Sequence, residues 1–292
     1  MTRMPMPTHP IELLGTRTSI QTGARGTPLR RLRHLLLLVL ATGVSLGAQS
    51  SLPPRESLQV FLLLGQSNMA GRGVLDDEAT VPARGVLMLD RSGTWVPAID
   101  PMHFDKPIAG VGLGRSFAAT VGQAHPGIVV GLVPAAVGGS PIDSWMPGAI
   151  DAATKTHPWD DAIARAKVAL VQGTLKGILW HQGESDSTAI LAPAYAGKLE
   201  ALVVRLRQTL NAPDVPFIAG QMGKFEGAPW DDARKTVDEA HRRLPKTATR
   251  TAYVSSEGLN HKGDRLHFDT PSLRELGRRY ARAYLALTQS GQ

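Results

Sequence analysis

The chain has 292 residues, 42% of them hydrophobic and 20% charged, proportions that exclude a disordered, collagen-like or coiled-coil protein. Its net charge is +7, but residues 1–48 hold +5 of this through Arg3, Arg17, Arg25, Arg30, Arg31 and Arg33 against Glu12. The remaining chain, at +2, has no basic footprint for a phosphate backbone, so nucleic acid is not an expected partner. There is no cysteine, which excludes disulfides, a thiol nucleophile and thiolate-bound zinc.

Arg30, Arg31 and Arg33 precede an apolar run, Leu35 to Leu40, which passes into the small residues around Ala41-Thr42-Gly43 and Gly47-Ala48. A basic stretch, a short apolar stretch and a small-residue exit form the pattern of a secretory signal. The apolar run is shorter than the ~20 residues that span a bilayer. The expectation is a secreted or periplasmic protein with no stable membrane span once mature; an uncleaved anchor is the alternative. Residues 1–48 are therefore assigned to the N-terminal extension and signal, and 49–292 to a single domain.

Beyond Pro53-Pro54, short apolar runs alternate with longer segments of helical period. The runs at 58–64, 85–89, 128–133, 177–180, 216–220 and 251–254 read as strands buried on both faces, because they lack polar alternation. Helices are expected over 114–124, 160–172, 195–210, 230–243 and 272–287. In the third, Leu199, Leu202, Val203, Leu206 and Leu210 form one stripe, and Lys198, Glu200, Arg205 and Arg207 lie off it. Alternating strands and helices imply right-handed crossovers and a parallel sheet between two helical layers, an α/β sandwich. Ligands of such sheets bind beyond the carboxyl ends of the strands, where the unusual residues also fall.

The first strand runs into Gly65-Gln66-Ser67-Asn68-Met69-Ala70-Gly71-Arg72-Gly73. A serine at a strand exit among glycines can present its hydroxyl to a cleft where backbone N–H groups gather, which suits a nucleophile. The same residues are also ordinary turn formers. The third ends in Gly138-Gly139-Ser140, which can offer an N–H to an anion, followed by Trp145 as a wall for a sugar face. The fourth ends in His181-Gln182-Gly183-Glu184-Ser185-Asp186, a polar cluster that needs partners if buried. Near the C-terminus stands Asp264-Arg265-Leu266-His267-Phe268. A carboxylate three residues before a histidine can meet one ring nitrogen and leave the other free as a base.

These four blocks resemble the motifs of the SGNH (GDSL-like) hydrolases, in the sialate O-acetylesterase-like and acetylxylan esterase branch, carbohydrate esterase family six. The resemblance spans about Leu58 to Leu287 and implies a flavodoxin-like three-layer α/β/α fold. It further implies a serine esterase that removes O-acetyl groups from carbohydrate without a cofactor or metal. Ser67 would be the nucleophile and His267 the base. Ser67 N–H, Gly139 N–H and the Gln182 side chain would form the oxyanion hole. Asp264 is the superfamily's choice of acid, and Glu184 serves in some members of the branch. His181 and Asp186 would brace the loop.

Two other readings compete. One makes His181, Glu184, Asp186, His261 and His267 ligands of a hydrolytic metal, although no H-E-x-x-H spacing is present. The other is a non-catalytic carbohydrate-binding module in which Trp145, Trp159 and Trp230 stack on sugar rings.

Overall fold

The computed structural model describes residues 52–289. The basic and apolar N-terminal stretch read as a signal lies outside them. A central strand, β1 (Leu58–Gly65), is flanked by β4 (Val129–Pro134) and β5 (Thr174–His181), both parallel to it. Outward on one side lie β2 (Val86–Leu89) and β3 (Trp95–Pro97), and on the other β6 (Phe217–Gly220) and β7 (Thr251–Val254). The seven-stranded order is β3-β2-β4-β1-β5-β6-β7, parallel except for the β2–β3 pair.

The expected strands all form; the last keeps its expected bounds and the others shift at one or both ends. Only the antiparallel edge strand β3 escapes the sequence reading. It has three residues and closes on Pro97, too short to carry a periodic signal, and short strands with proline suit a sheet edge.

Side chains alternate along β1. Leu58, Val60, Leu62 and Leu64 join a core with α3 (Pro158–Gln172), α4 (Tyr195–Thr209) and α5 (Asp232–Thr247). Phe61 and Leu63 face the opposite core, closed by α2 (Gly114–Ala124) and α6 (Thr270–Gln289). Of the predicted stripe, Leu199, Leu202, Val203 and Leu206 are buried in α4. Burying both faces is what an uninterrupted run of Leu and Val requires.

Two of the helix ends that run past their expected bounds have a local cause. Helix α5 passes through Pro245 in its last turn, where one missing N–H forfeits a single backbone bond. Helix α6 starts earlier than its apolar stripe because the Asp269 carboxylate accepts the Ser272 N–H at 2.8 Å, capping the first turn.

The chain leaves β1 for β2 and β4 on one side, then crosses to β5 on the other. The crevice for a ligand therefore opens at the carboxyl ends of β4, β1 and β5, where the order reverses. Three of the four motif blocks follow these three adjacent strands.

Candidate active site

Gly65 ends β1 with φ 125°, and a Cβ there would overlap the His181 carbonyl of β5. Only glycine permits this approach. The chain then turns at Gln66, whose amide N–H donates to His181 O at 2.9 Å, and enters α1 (Ser67–Ala70). Ser67 opens this turn and is 7% exposed.

The fourth block is a short loop before α6. Its ends are tied by Asp269 N–H to Asn260 O at 3.1 Å and by Lys262 N–H to His267 O at 2.9 Å. Arg265 takes the left-handed conformation at φ 56°, uncommon for a residue with a Cβ. Asp264 Oδ1 accepts the N–H groups of Leu266 at 3.0 Å and His267 at 2.8 Å. Asp264 Oδ2 meets His267 Nδ1 at 2.7 Å, and His267 Nε2 stands 3.0 Å from Ser67 Oγ. Partial burial pushes the Asp264 carboxyl up, but the His267 and Leu266 N–H groups and the His267 ring outweigh it, holding the group at about 2. Asp264 is therefore ionised near neutral pH and can fix the imidazole tautomer. The hydroxyl can pass its proton to Nε2. This is the geometry for acyl transfer.

Glu184 makes no hydrogen bond to His267. Its Oε1 accepts from Asn68 Nδ2 at 2.8 Å, and burial raises its carboxyl above the ordinary value. Asn68 in turn donates to Leu266 O at 3.2 Å and accepts the Phe268 N–H at 3.2 Å. Asn68 thus grips both neighbours of His267, and Glu184 holds Asn68. Of the two carboxylates put forward as the acid, the structure brings Asp264 alone to the ring.

Gln182 also departs from expectation. Its side chain is fully buried, with Nε2 donating to Asp186 Oδ2 at 2.5 Å and to Ser140 O at 3.2 Å. Its Oε1 accepts from Tyr195 OH at 2.7 Å, and that hydroxyl also meets His241 Nε2 at 2.9 Å. Both amide hydrogens are committed, so Gln182 is a brace between the ends of β4 and β5 and not an oxyanion donor. Asp186 completes the brace by accepting the Ile142 N–H at 2.9 Å. By contrast, no protein acceptor is found among the described residues for the N–H of Ser67 or of Gly139. Both residues follow strands whose carboxyl ends border the crevice.

Trp145 is a further correction. It is 1% exposed, packs edge-on against Trp180 at 5.1 Å and donates to Ser140 Oγ at 3.1 Å. It cannot offer a face to a sugar. Trp159 is buried as well, and Trp230 is half-buried with its N–H on Gly223 O, so the aromatic platform of a binding module is not assembled. Trp145→Ala should cost about 3–5 kcal/mol of stability by thermal or denaturant melting, with KM for an acetylated sugar unchanged. A stacking platform would show the reverse.

The residues weighed as metal ligands do not converge. Buried His181 turns Nδ1 to Tyr280 OH at 3.1 Å, and burial, then His241, lowers its ring to about 3. Among the described residues no group of three His, Asp or Glu is placed to hold a metal ion.

Sequence reasoning also missed two contributors. Gln66 Oε1 accepts the Gly183 and Ser185 N–H groups at 3.3 and 3.4 Å, joining the nucleophile turn to the β5 loop. Arg72 and Asp105 form a buried ion pair at 2.6 Å behind Gly138. The signal for Gln66 was its place beside Ser67. Asp105 gave none, because it lies in a long segment without periodicity.

Residues 57–286 match the family of carbohydrate esterases described as sialic acid-specific acetylesterases. A protein of Arabidopsis thaliana described as a probable carbohydrate esterase is 34% identical over 260 residues, covering 82% of this chain and 93% of that one. The chain belongs to this family. The esterase is a carboxylic ester hydrolase acting on acetylated carbohydrate, as its motif blocks lead one to expect. The X-ray structure from the same Arabidopsis locus superposes with a TM-score of 0.69 at 32% identity, covering 80% of the esterase and 99% of that chain. NanS shares the fold, with a TM-score of 0.67 at 17% identity over 82% of the esterase and all of that chain.

Proposed function

We propose that the esterase removes O-acetyl groups from an acetylated glycan or sialate through an acetyl-Ser67 intermediate. The observation that carries this reading is the unbroken line from Asp264 through His267 to Ser67 Oγ, with spacings of 2.7 and 3.0 Å. Ser67 Oγ attacks the acetyl carbonyl carbon as its proton passes to His267 Nε2. The oxyanion lies against the Ser67 and Gly139 N–H groups. Collapse breaks the ester bond, and His267 returns the proton to the departing sugar hydroxyl. Water then repeats the sequence: its proton passes to His267 as it attacks the acetyl carbon, and collapse releases acetate while His267 returns the proton to Ser67 Oγ.

Catalysis then depends on groups ordered before substrate arrives. Export is part of the same proposal and rests on the basic-then-apolar sequence at 30–48. Among the described residues no helix is long and apolar enough to cross a membrane. The family description and the motif blocks support comparing sialate and acetylxylan esters first.

The test is acetate release from acetylated xylan and from O-acetylated sialic acid, wild type against Ser67→Ala. Trapping the acyl-enzyme by rapid acid quench and locating the acetyl group by peptide mass spectrometry completes it. Release from neither substrate overturns the substrate reading, and an acetyl group on any residue other than Ser67 overturns the mechanism.

A further inference from the structure

In the reading above, the two oxyanion donors come from segments far apart in sequence, the Ser67 turn after β1 and the Gly138–Gly139 turn after β4. One buried ion pair touches both. Arg72, just beyond α1, donates from Nη1 to Gly71 O at 2.7 Å and from Nη2 to Asp105 Oδ2 at 2.6 Å. The same Asp105 oxygen accepts the Gly138 N–H at 2.8 Å. The two side chains are 1% and 0% exposed.

A Cβ on Gly138 would overlap the Arg72 guanidinium and crowd Asp105 Oδ2 at 2.6 Å. The turn therefore lies directly against the pair. Gly71 O, the first acceptor, also receives the Gly110 N–H at 3.1 Å, and Gly71 N–H donates back to Ser67 O at 2.9 Å. The chain of contacts runs from Ser67 through Gly71, Arg72 and Asp105 to Gly138, the residue before the second donor.

Stability alone is a poor reason for this arrangement. Apolar residues of similar volume often replace a buried ion pair at no cost, because burying two charges forfeits as much as their attraction returns. What apolar residues cannot supply is direction: charge-assisted hydrogen bonds hold donor and acceptor at short, fixed separations. An oxyanion hole depends on such fixed geometry, since displacement of about 1 Å in a reacting constellation can cost ~10²-fold in rate.

We infer that Arg72 and Asp105 are positioning residues that set the Gly138–Gly139 turn against the Ser67 turn, so that the two N–H donors act as one rigid unit. The inference rests on the proposed oxyanion hole. The turn has a second anchor, Ser185 Oγ donating to Gly139 O at 2.8 Å, so loss of the ion pair should loosen the turn without releasing it.

The experiment compares wild type, Asp105→Ala, Asp105→Asn and the double variant Arg72→Met/Asp105→Leu on 4-nitrophenyl acetate, with thermal melting of each. The double variant removes both charges, avoiding the unpaired buried charge that would jeopardise folding of a single variant. It is expected to melt near wild type, with kcat lowered about 10–100-fold and KM within about twofold. Asp105→Asn should recover part of the kcat lost in Asp105→Ala, because an amide oxygen still accepts the Gly138 N–H. A folded double variant with wild-type kcat overturns the inference, and so does a folded Asp105→Asn no better than an equally folded Asp105→Ala. Ser67→Ala separates the two levels. If it stays active, the nucleophile reading fails; if it is dead while every Arg72 and Asp105 variant is fully active, only this inference fails.

Discussion

Ser67→Ala and His267→Ala are each expected to lower kcat by about 10⁴–10⁶, and the double variant should be little worse than either. The reason is the single contact between Nε2 and Oγ at 3.0 Å. A hydroxyl without that acceptor is a weak nucleophile, and an imidazole without that hydroxyl has nothing to activate. Removing the second partner therefore subtracts little. Additive losses would mean that the two residues act separately. Either single variant keeping more than about a tenth of wild-type kcat would remove that residue from the mechanism.

The second large effect is expected at Asp264. Asp264→Asn should cost about 10⁴ in kcat, because an amide in its place can hold the wrong ring tautomer. Glu184→Gln should be mild, since an amide oxygen can still accept from Asn68 at the 2.8 Å site. Circular dichroism and melting would confirm that both variants fold. A severe Glu184→Gln beside a mild Asp264→Asn would reverse the assignment of the acid.

Acid stability offers an independent check with a definite sign. The Asp264 carboxyl is held at about 2, below its ordinary 3.8. Its contribution to folding is present above pH 4 and is lost as pH falls toward 2. The Glu184 carboxyl is raised above its ordinary 4.5, so its contribution is present below that value and fades as pH rises through the raised one. Melting curves should therefore show Asp264→Asn losing less stability than wild type on acidification. Glu184→Gln should lose less between pH 4 and neutrality. A carboxylate that was free in the folded chain would show neither change.

What could be read from the sequence follows a physical division. Strands and helices were legible because burial on both faces of a sheet writes continuous apolar runs, and helices write a stripe such as Leu199 to Leu206. The Asp264–His267 contact was legible because it closes within three residues. The direction of Gln182 was not, because besides nearby Asp186 it is decided by Tyr195 from α4 and the Ser140 carbonyl after β4, which only the fold brings to it. Trp145 misled for the same reason. A tryptophan beside a glycine turn is equally compatible with a platform and a core, and only the position of Trp180 settles which. Asp105 was silent because an aspartate in an irregular segment looks solvated until Arg72 and Gly138 are brought to it.

The proposed acid–base dyad lies in the loop that leads into α6, while Ser67, the proposed nucleophile, opens the turn after β1, about two hundred positions earlier. During synthesis the hydroxyl emerges long before any group that could take its proton. The loop is tied at Asn260–Asp269, and Asp269 also caps α6, which packs against α2 and β7. In the proposed mechanism ester cleavage is thus acquired only once α6 has docked. Turnover of a chromogenic acetate would then serve as a clock for completed folding, silent for every shorter nascent chain that already carries a finished Ser67 turn.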